Sequence, residues 1–172
     1  MALRKPKNDE APQGGGVAVA EHPKEASVGE SAEQCMAAGQ ALVQGGMLEA
    51  EQLATALQEA NGDLLVFSNS LLTRHGVGRA DLANAISAAC QVPLGDSNPG
   101  EIDPEIVVKV AEEVARLHKV MPVAEENGSI VLYAADPSPA RRQVVEAATG
   151  QRFVWKSSDY ATVTSMIEQM YR

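Results

Sequence analysis

The chain has 172 residues, enough for one domain or two small ones, and its 14 Lys and Arg against 23 Asp and Glu give a formal charge of -9. That balance repels nucleic-acid phosphates and anionic lipid, which argues against general nucleic-acid or membrane-surface binding. It leaves room for a small anion held by backbone N–H groups and one or two Arg.

Cys35 and Cys90 are the only cysteines, too few and too far apart for a disulfide framework or a CxxC metal site, so both read as reduced, packed thiols. No apolar run approaches the roughly eighteen residues that cross a bilayer. The opening "MALRKPK" runs into polar residues instead of a signal peptide's apolar stretch, so the cytoplasm is the expected address.

Residues 1–32 are dense in Pro, Gly, Lys and Glu and nearly free of large apolar side chains. They cannot offset the entropy of ordering and read as a disordered arm, with His22 inside it. The triple glycine Gly14 to Gly16 lacks the following Lys and Ser/Thr of a phosphate-binding loop, and no such motif follows downstream.

Residues 33–93 carry a helical pattern throughout, with Leu53, Ala56, Leu57 and Ala60, then Leu82, Ala85, Ile86 and Ala89, at helical spacing. Breaks at Gly45-Gly46, Asn61-Gly62 and Gly76 to Gly78 divide the segment into four helices, hence two helical hairpins. Residues 94–172 have a different texture. Asp103-Pro104 opens a helix, with Asp as cap and Pro in the first turn, and "PEIVVKV" and "AEEVARLH" are short helices. "KVMPVAEENGSIVLYAAD" reads as two strands joined by a turn at Asn127-Gly128. "SPARRQVVEAATG" follows as a helix closed by Gly150, "RFVWKS" as a third strand, and "SDYATVTSMIEQMYR" as a last helix capped by Ser157 or Ser158. The expected fold class is therefore α+β: a four-helix unit of tandem hairpins, then a small unit ordered strand, strand, helix, strand, helix.

Shifting the chain by 29 residues superposes Leu42, Leu53, Ala54, Ala56 and Ala60 on Leu71, Leu82, Ala83, Ala85 and Ala89. Val43, Leu48 and Leu57 fall on Leu72, Val77 and Ile86, so the buried face repeats as well as the length. One such hairpin cannot bury its own apolar face, and two together make a compact unit with approximate twofold symmetry. Packing alone explains the repeat; the functional alternative is a pair of equivalent turns facing a ligand with two equivalent halves.

The order of Leu-Gly, paired aliphatics, Gly, aliphatic, then Leu and Ala-Leu resembles the tandem motif of the MshEN domain, the N-terminal module of type II secretion and type IV pilus assembly ATPases. The second half is similar too, in its Pro after the second motif, "IDPE", "VAEEVARLHKVMPV" and the "ADP" before a helix. The resemblance covers roughly residues 34–172. It implies a non-catalytic adaptor or regulatory module of a secretion, pilus or export machinery, standing without the ATPase that normally follows. It implies no cofactor, with cyclic di-GMP as the possible ligand, one motif for each half of the dinucleotide. Its ligand-binding candidates in this chain are Gly39, Leu42, Val43, Gly46, Leu48, Leu53 and Leu57 in the first motif, and Leu71, Leu72, Val77, Leu82 and Ile86 in the second.

The departures fall on the polar positions. Ala37 and Val66 stand where ligand-binding members carry Arg, Phe67-Ser68 replaces Leu-Gly, His75 replaces the turn Gly, and Ala60 and Ala89 replace the closing Gln. Each lost charge-assisted contact costs about 1.5 to 3 kcal/mol. Arg74 and Arg79 flank the second turn and are candidates to compensate. The alternative function is thus a working cyclic di-GMP receptor that regulates the same kind of machinery.

By the same resemblance, Ile102 to His118 and the last helix are candidates for a surface that docks a protein partner at the inner membrane, with no direct membrane insertion and no nucleic acid. The remaining polar residues read as structural: His75 as a solvated turn residue, His118 as a charge complementing its helix end, Asp136 as a cap for the helix near Ser138, and Trp155 as a packed strand residue. Arg141-Arg142, in the first turn of a helix where positive charge is unfavourable, are expected to meet a partner's acidic surface. No nucleophile and base, paired carboxylates or metal cluster emerge, so no enzymatic activity is expected.

Overall fold

A computed structural model describes residues 30–171 apart from position 97. The arm assigned to residues 1–32 lies outside the described residues up to position 29. At its end it is corrected: Ala32 already begins a helix and Ser31 is buried, its N–H donating to the Gly62 carbonyl at 3.1 Å. Composition gave no sign of that bond, because its partner comes thirty-one residues later in the chain.

The helical half consists of α1 (Ala32–Gln44), α2 (Ala50–Ala60), α3 (Leu64–Thr73) and α4 (Arg79–Cys90). Left-handed Asn61 closes α2, and the Asp63 carboxylate caps α3 by accepting the Leu65 N–H at 2.9 Å. The helices do not pair mainly within their hairpins: α1 lies chiefly against α4, and α2 against α3. Phe67, Leu42, Leu64, Leu71, Leu82 and Ile86 fill the space between them, each essentially inaccessible. Side chains of this size contribute about 1.5 to 3 kcal/mol each when fully buried. Gly39 permits the closest approach, since a Cβ there would overlap Leu53 Cδ1 and stand 3.2 Å from Phe67 Cζ.

Gln91, left-handed at φ 56°, ends α4. The chain then runs along the sheet as a strap: Ser157 N–H donates to the Pro93 carbonyl, and Gly95 N–H to the Ser157 carbonyl, each at 2.8 Å. The second half comprises α5 (Pro104–Val107), α6 (Glu112–His118), β1 (Val120–Glu126), β2 (Ser129–Ala134), α7 (Pro139–Thr149), β3 (Phe153–Ser157) and α8 (Tyr160–Met170).

β1 and β2 form an antiparallel hairpin whose two turn residues, Asn127 and Gly128, both have positive φ, as a two-residue hairpin turn of this twist requires. β2 and β3 pair in parallel across the α7 crossover, giving sheet order β1-β2-β3. Asp103 caps α5 with Pro104 in its first turn, and Gly150 at φ 66° closes α7. The cap of α8 is Asp159, not Ser157 or Ser158; its carboxylate accepts the Thr162 N–H at 2.8 Å and the Thr162 hydroxyl at 2.6 Å. Ser157 is committed to the strap and to the end of β3, which moves the helix start two residues on.

Candidate functional site

The motif positions divide by burial. Gly39, Leu42, Leu48, Leu53, Leu71, Val77, Leu82 and Ile86 are buried, Val43, Leu57 and Leu72 are half-buried, and only Gly46, Arg74 and Arg79 are exposed. The apolar positions are therefore core. Ala37 and Val66, where the motif would carry Arg, do face solvent, but offer no charge or hydrogen bond.

The two turns are alike but not equivalent. In the first hairpin Gly46 takes the left-handed conformation at φ 78°, and in the second the glycine needed sits one place later, at Gly76 with φ 67°, so His75 does not have to adopt it. The matching carbonyls follow suit, Leu42 accepting from Met47 N–H at 2.9 Å and Leu71 from Val77 N–H at 3.0 Å. His75 is half-buried instead of solvated, with its Nε2 shielded and lacking a hydrogen-bond partner among the described residues.

The two arginines are not brought together. Arg74 reaches back to Glu59 on α2, Nη1 to Oε2 at 2.8 Å, and the other oxygen of Glu59 accepts the Ser70 hydroxyl at 3.3 Å. Arg79, the first residue of α4, makes no ion pair among the described residues and lines a cleft of about 740 Å³ whose other walls include Asn98, Ile102, Thr162 and Met166.

The densest polar cluster lies elsewhere, at the junction of the two halves. Arg141, expected at the surface, is buried: its Nε donates to Asp136 Oδ2 at 3.1 Å, Nη1 to His118 Nδ1 at 2.9 Å, and Nη2 to Asp63 Oδ1 at 3.4 Å. A guanidinium has no lone pair to offer, so His118 Nδ1 is the acceptor. His118 therefore holds Arg141 instead of presenting a charge to its own helix end. Asp136, fully buried, accepts the Ser138 N–H at 3.0 Å, but the cap of α7 is Ser138 itself. The dipole cost of a cation in the first turn of α7 is met inside the protein, by two carboxylates. Ser138 Oγ also lies 2.9 Å from Ser31 Oγ. Arg142 is half-buried, with Nε shielded and lacking a hydrogen-bond partner among the described residues.

The region from Ile102 to His118 combines a buried side and two exposed apolar residues. Ile102, Val107, Val110, Ala115 and His118 are buried, whereas Val108 is 76% exposed and Leu117 47%. Leu117 and Val114 on α6 face Val144, Ala147 and Ala148 on α7 across a groove of about 330 Å³. The last helix is tied to this region from behind, since the Tyr171 hydroxyl lies 3.1 Å and 2.9 Å from the Val107 and Val110 carbonyls and Arg116 Nη2 donates to the Tyr171 carbonyl at 2.9 Å. Trp155 is packed, edge to face with Phe153, its Nε1–H donating to Glu146 at 3.0 Å.

Cys35 and Cys90 are free and buried, and burial, with Asp136 as a smaller cause, pushes each thiol up to about 12. Thiols so protonated are poor nucleophiles. Among the described residues no cluster of three or more His, Cys, Asp or Glu could hold a metal ion, and no helix is long and apolar enough to cross a membrane.

Comparison with known proteins places this architecture. Residues 90–172 match the MshEN domain family. The type IV pilus assembly ATPase PilB of Myxococcus xanthus (strain DK1622) is 26% identical over 100 residues, 58% of this chain but 18% of that protein, so the chain spans less than a fifth of the length of this relative. The N-terminal domain of XpsE superposes with a TM-score of 0.62 at 25% identity, covering 83% of this chain and 97% of that one. A structure of MshE with cdg superposes with a TM-score of 0.57 at 17% identity, covering 78% and 98%, a likeness of fold alone. The XpsE coverage exceeds what residues 90–172 can supply, so the likeness takes in the helical hairpins as well.

Proposed function

Because this chain carries an MshEN-type domain and resembles the N-terminal domains of secretion and pilus ATPases, we propose that it is a non-catalytic adaptor or regulatory module of a secretion, pilus or export machinery. In this reading the helical repeat is a packing device, and the working surface is the groove face of α6 and α7, which a protein partner at the inner membrane covers. The observation that carries the reading is the fate of the motif. Its apolar positions are in the core, its two charged positions are Ala37 and Val66, and Arg74 is occupied by Glu59.

A receptor for cyclic di-GMP is the second reading, favoured by the fold shared with MshE, solved with cdg, and by the exposed Arg79 at the start of α4. Calorimetric titration with cyclic di-GMP at near-physiological salt, with cyclic di-AMP and GTP as controls, separates the two. The adaptor reading expects no heat up to high ligand concentration. Selective micromolar binding that is lost in Gly46→Trp or Arg74→Ala would establish the receptor instead.

A further inference from the structure

Four side chains meet in pairs where the two halves touch. Ser31 Oγ of the helical unit lies 2.9 Å from Ser138 Oγ of the α/β unit, and Asp63 Oδ1 of the first lies 3.4 Å from Arg141 Nη2 of the second. Three of the four, all but Ser31, have another partner on their own side. Arg141 keeps Asp136 at 3.1 Å and His118 at 2.9 Å. Asp63, its side chain 16% exposed, keeps the Leu65 N–H at 2.9 Å. Ser138 keeps the Arg141 N–H at 3.4 Å. If the pairs part, no charge is left both buried and alone. The large penalty for breaking a buried ion pair falls on Arg141 and Asp136, within the α/β unit, and not on the seam.

We propose that these two contacts form a latch between the units, one that releases in the folded protein at lower cost than global unfolding. Proteins open locally in cooperative pieces, and here the strap around Gln91 to Gly95, with its left-handed Gln91 and its bonds to Ser157, is the hinge that stays in place. The thiols of Cys35 and Cys90 are buried; Cys35 lies one helical turn from Ser31, its N–H donating to the Ser31 carbonyl at 2.9 Å, and Cys90 directly precedes the strap. Release uncovers them. Because Arg141 also holds His118, the last residue of α6, the latch links the hairpins to the groove face. It does so whether or not the hairpins take a ligand.

Thiol labelling of the native protein with 5,5′-dithiobis(2-nitrobenzoate) at pH 8, in increasing urea below the unfolding transition, tests the latch against global unfolding followed by Trp155 fluorescence. A latch gives labelling through an opening whose urea dependence is well below the global slope, because little surface is exposed. Asp63→Asn, which keeps a capping side chain but loses the charge facing Arg141, and Ser31→Ala each accelerate that labelling up to about fivefold, the effect of weakening or losing one polar contact across the seam. Global stability falls by the same factor, because the contact is absent from the open and the unfolded protein alike, so the urea slope of labelling is what separates the two. Labelling in the wild-type protein with the full global slope overturns the proposal, and so does labelling that neither variant accelerates.

Discussion

Arg141→Met removes a cation of similar bulk from the junction of the two halves. In the wild type the Arg141 and Asp136 side chains are 6% and 0% exposed, with a 3.1 Å bond between them. The variant leaves the Asp136 carboxylate enclosed with the Ser138 N–H as its remaining donor, a situation that costs about 3 to 5 kcal/mol. With a denaturant slope of about 2 kcal/mol per molar urea, the unfolding midpoint falls by about 2 M. Asp63→Asn serves as the internal control. Its bond to Arg141 is longer and nearer to solvent, so it lowers stability by about 1 kcal/mol or less. Combining Arg141→Met with Asp136→Leu replaces the buried pair by apolar groups and recovers most of the loss. Urea titration monitored by Trp155 fluorescence reads all four proteins. A midpoint shift below about 0.5 M for Arg141→Met, or a double variant no better than the single one, would refute the assignment of Arg141 and Asp136 as a mutually dependent buried pair.

Gly39→Ala introduces a Cβ that overlaps Leu53 Cδ1 and crowds Phe67; overpacking of about 1 to 3 kcal/mol outweighs the gain in helix propensity, and thermal denaturation should show a lower Tm. Asp159→Ala removes the cap of α8 and costs about 1 kcal/mol, whereas Ser157→Ala, which deletes a buried hydroxyl without a partner among the described residues, is neutral or better in urea titration. Burial holds the Cys35 and Cys90 thiols at about 12 in the folded chain against an ordinary 9.0, and the Tyr171 hydroxyl at about 12 against 10.0. Their protonated forms are favoured by folding, so this contribution is complete below pH 9 and is lost as pH rises through 12. Urea midpoints measured from pH 8 to pH 11 should fall, and fall less in Cys35→Ala and Cys90→Ala.

Local chemistry was legible in the sequence wherever one or two residues decide a backbone conformation. Asn127-Gly128, Gly150 and Asp103-Pro104 mark a hairpin turn, a helix end and a helix start because few other residues suit those positions. The cap of α8 was harder, since Ser157, Ser158 and Asp159 are consecutive and all chemically able; the extent of β3 and the strap decide among them. Arg141 was not legible at all. Helix-dipole reasoning placed it outside, and what brings it inside is a carboxylate five residues earlier and another seventy-eight residues earlier. Asp63 carries no local signal beyond that of a cap, and Ser31 follows a polar, glycine-rich stretch. Candidate ligand positions fared similarly: the apolar repeat identified the core faces, while the reach of Arg74 to Glu59 depends on the angle between α2 and α3.

The cross-pairing of the four helices bears on the order in which the protein assembles. α1 finds its main partner in α4, the last helix of the unit, not in its own hairpin neighbour. A chain emerging from the ribosome therefore presents the face of α1 with Leu42 and Ala38 long before its complement exists, and α2 and α3 close on each other first. Long-range closure of this kind slows folding and leaves an amphipathic helix open to wrong partners in the interval. It also means that neither hairpin can be excised as a working half: cutting between them at Gly62 would separate α1 from α4 and α2 from α3, severing both principal pairings at once.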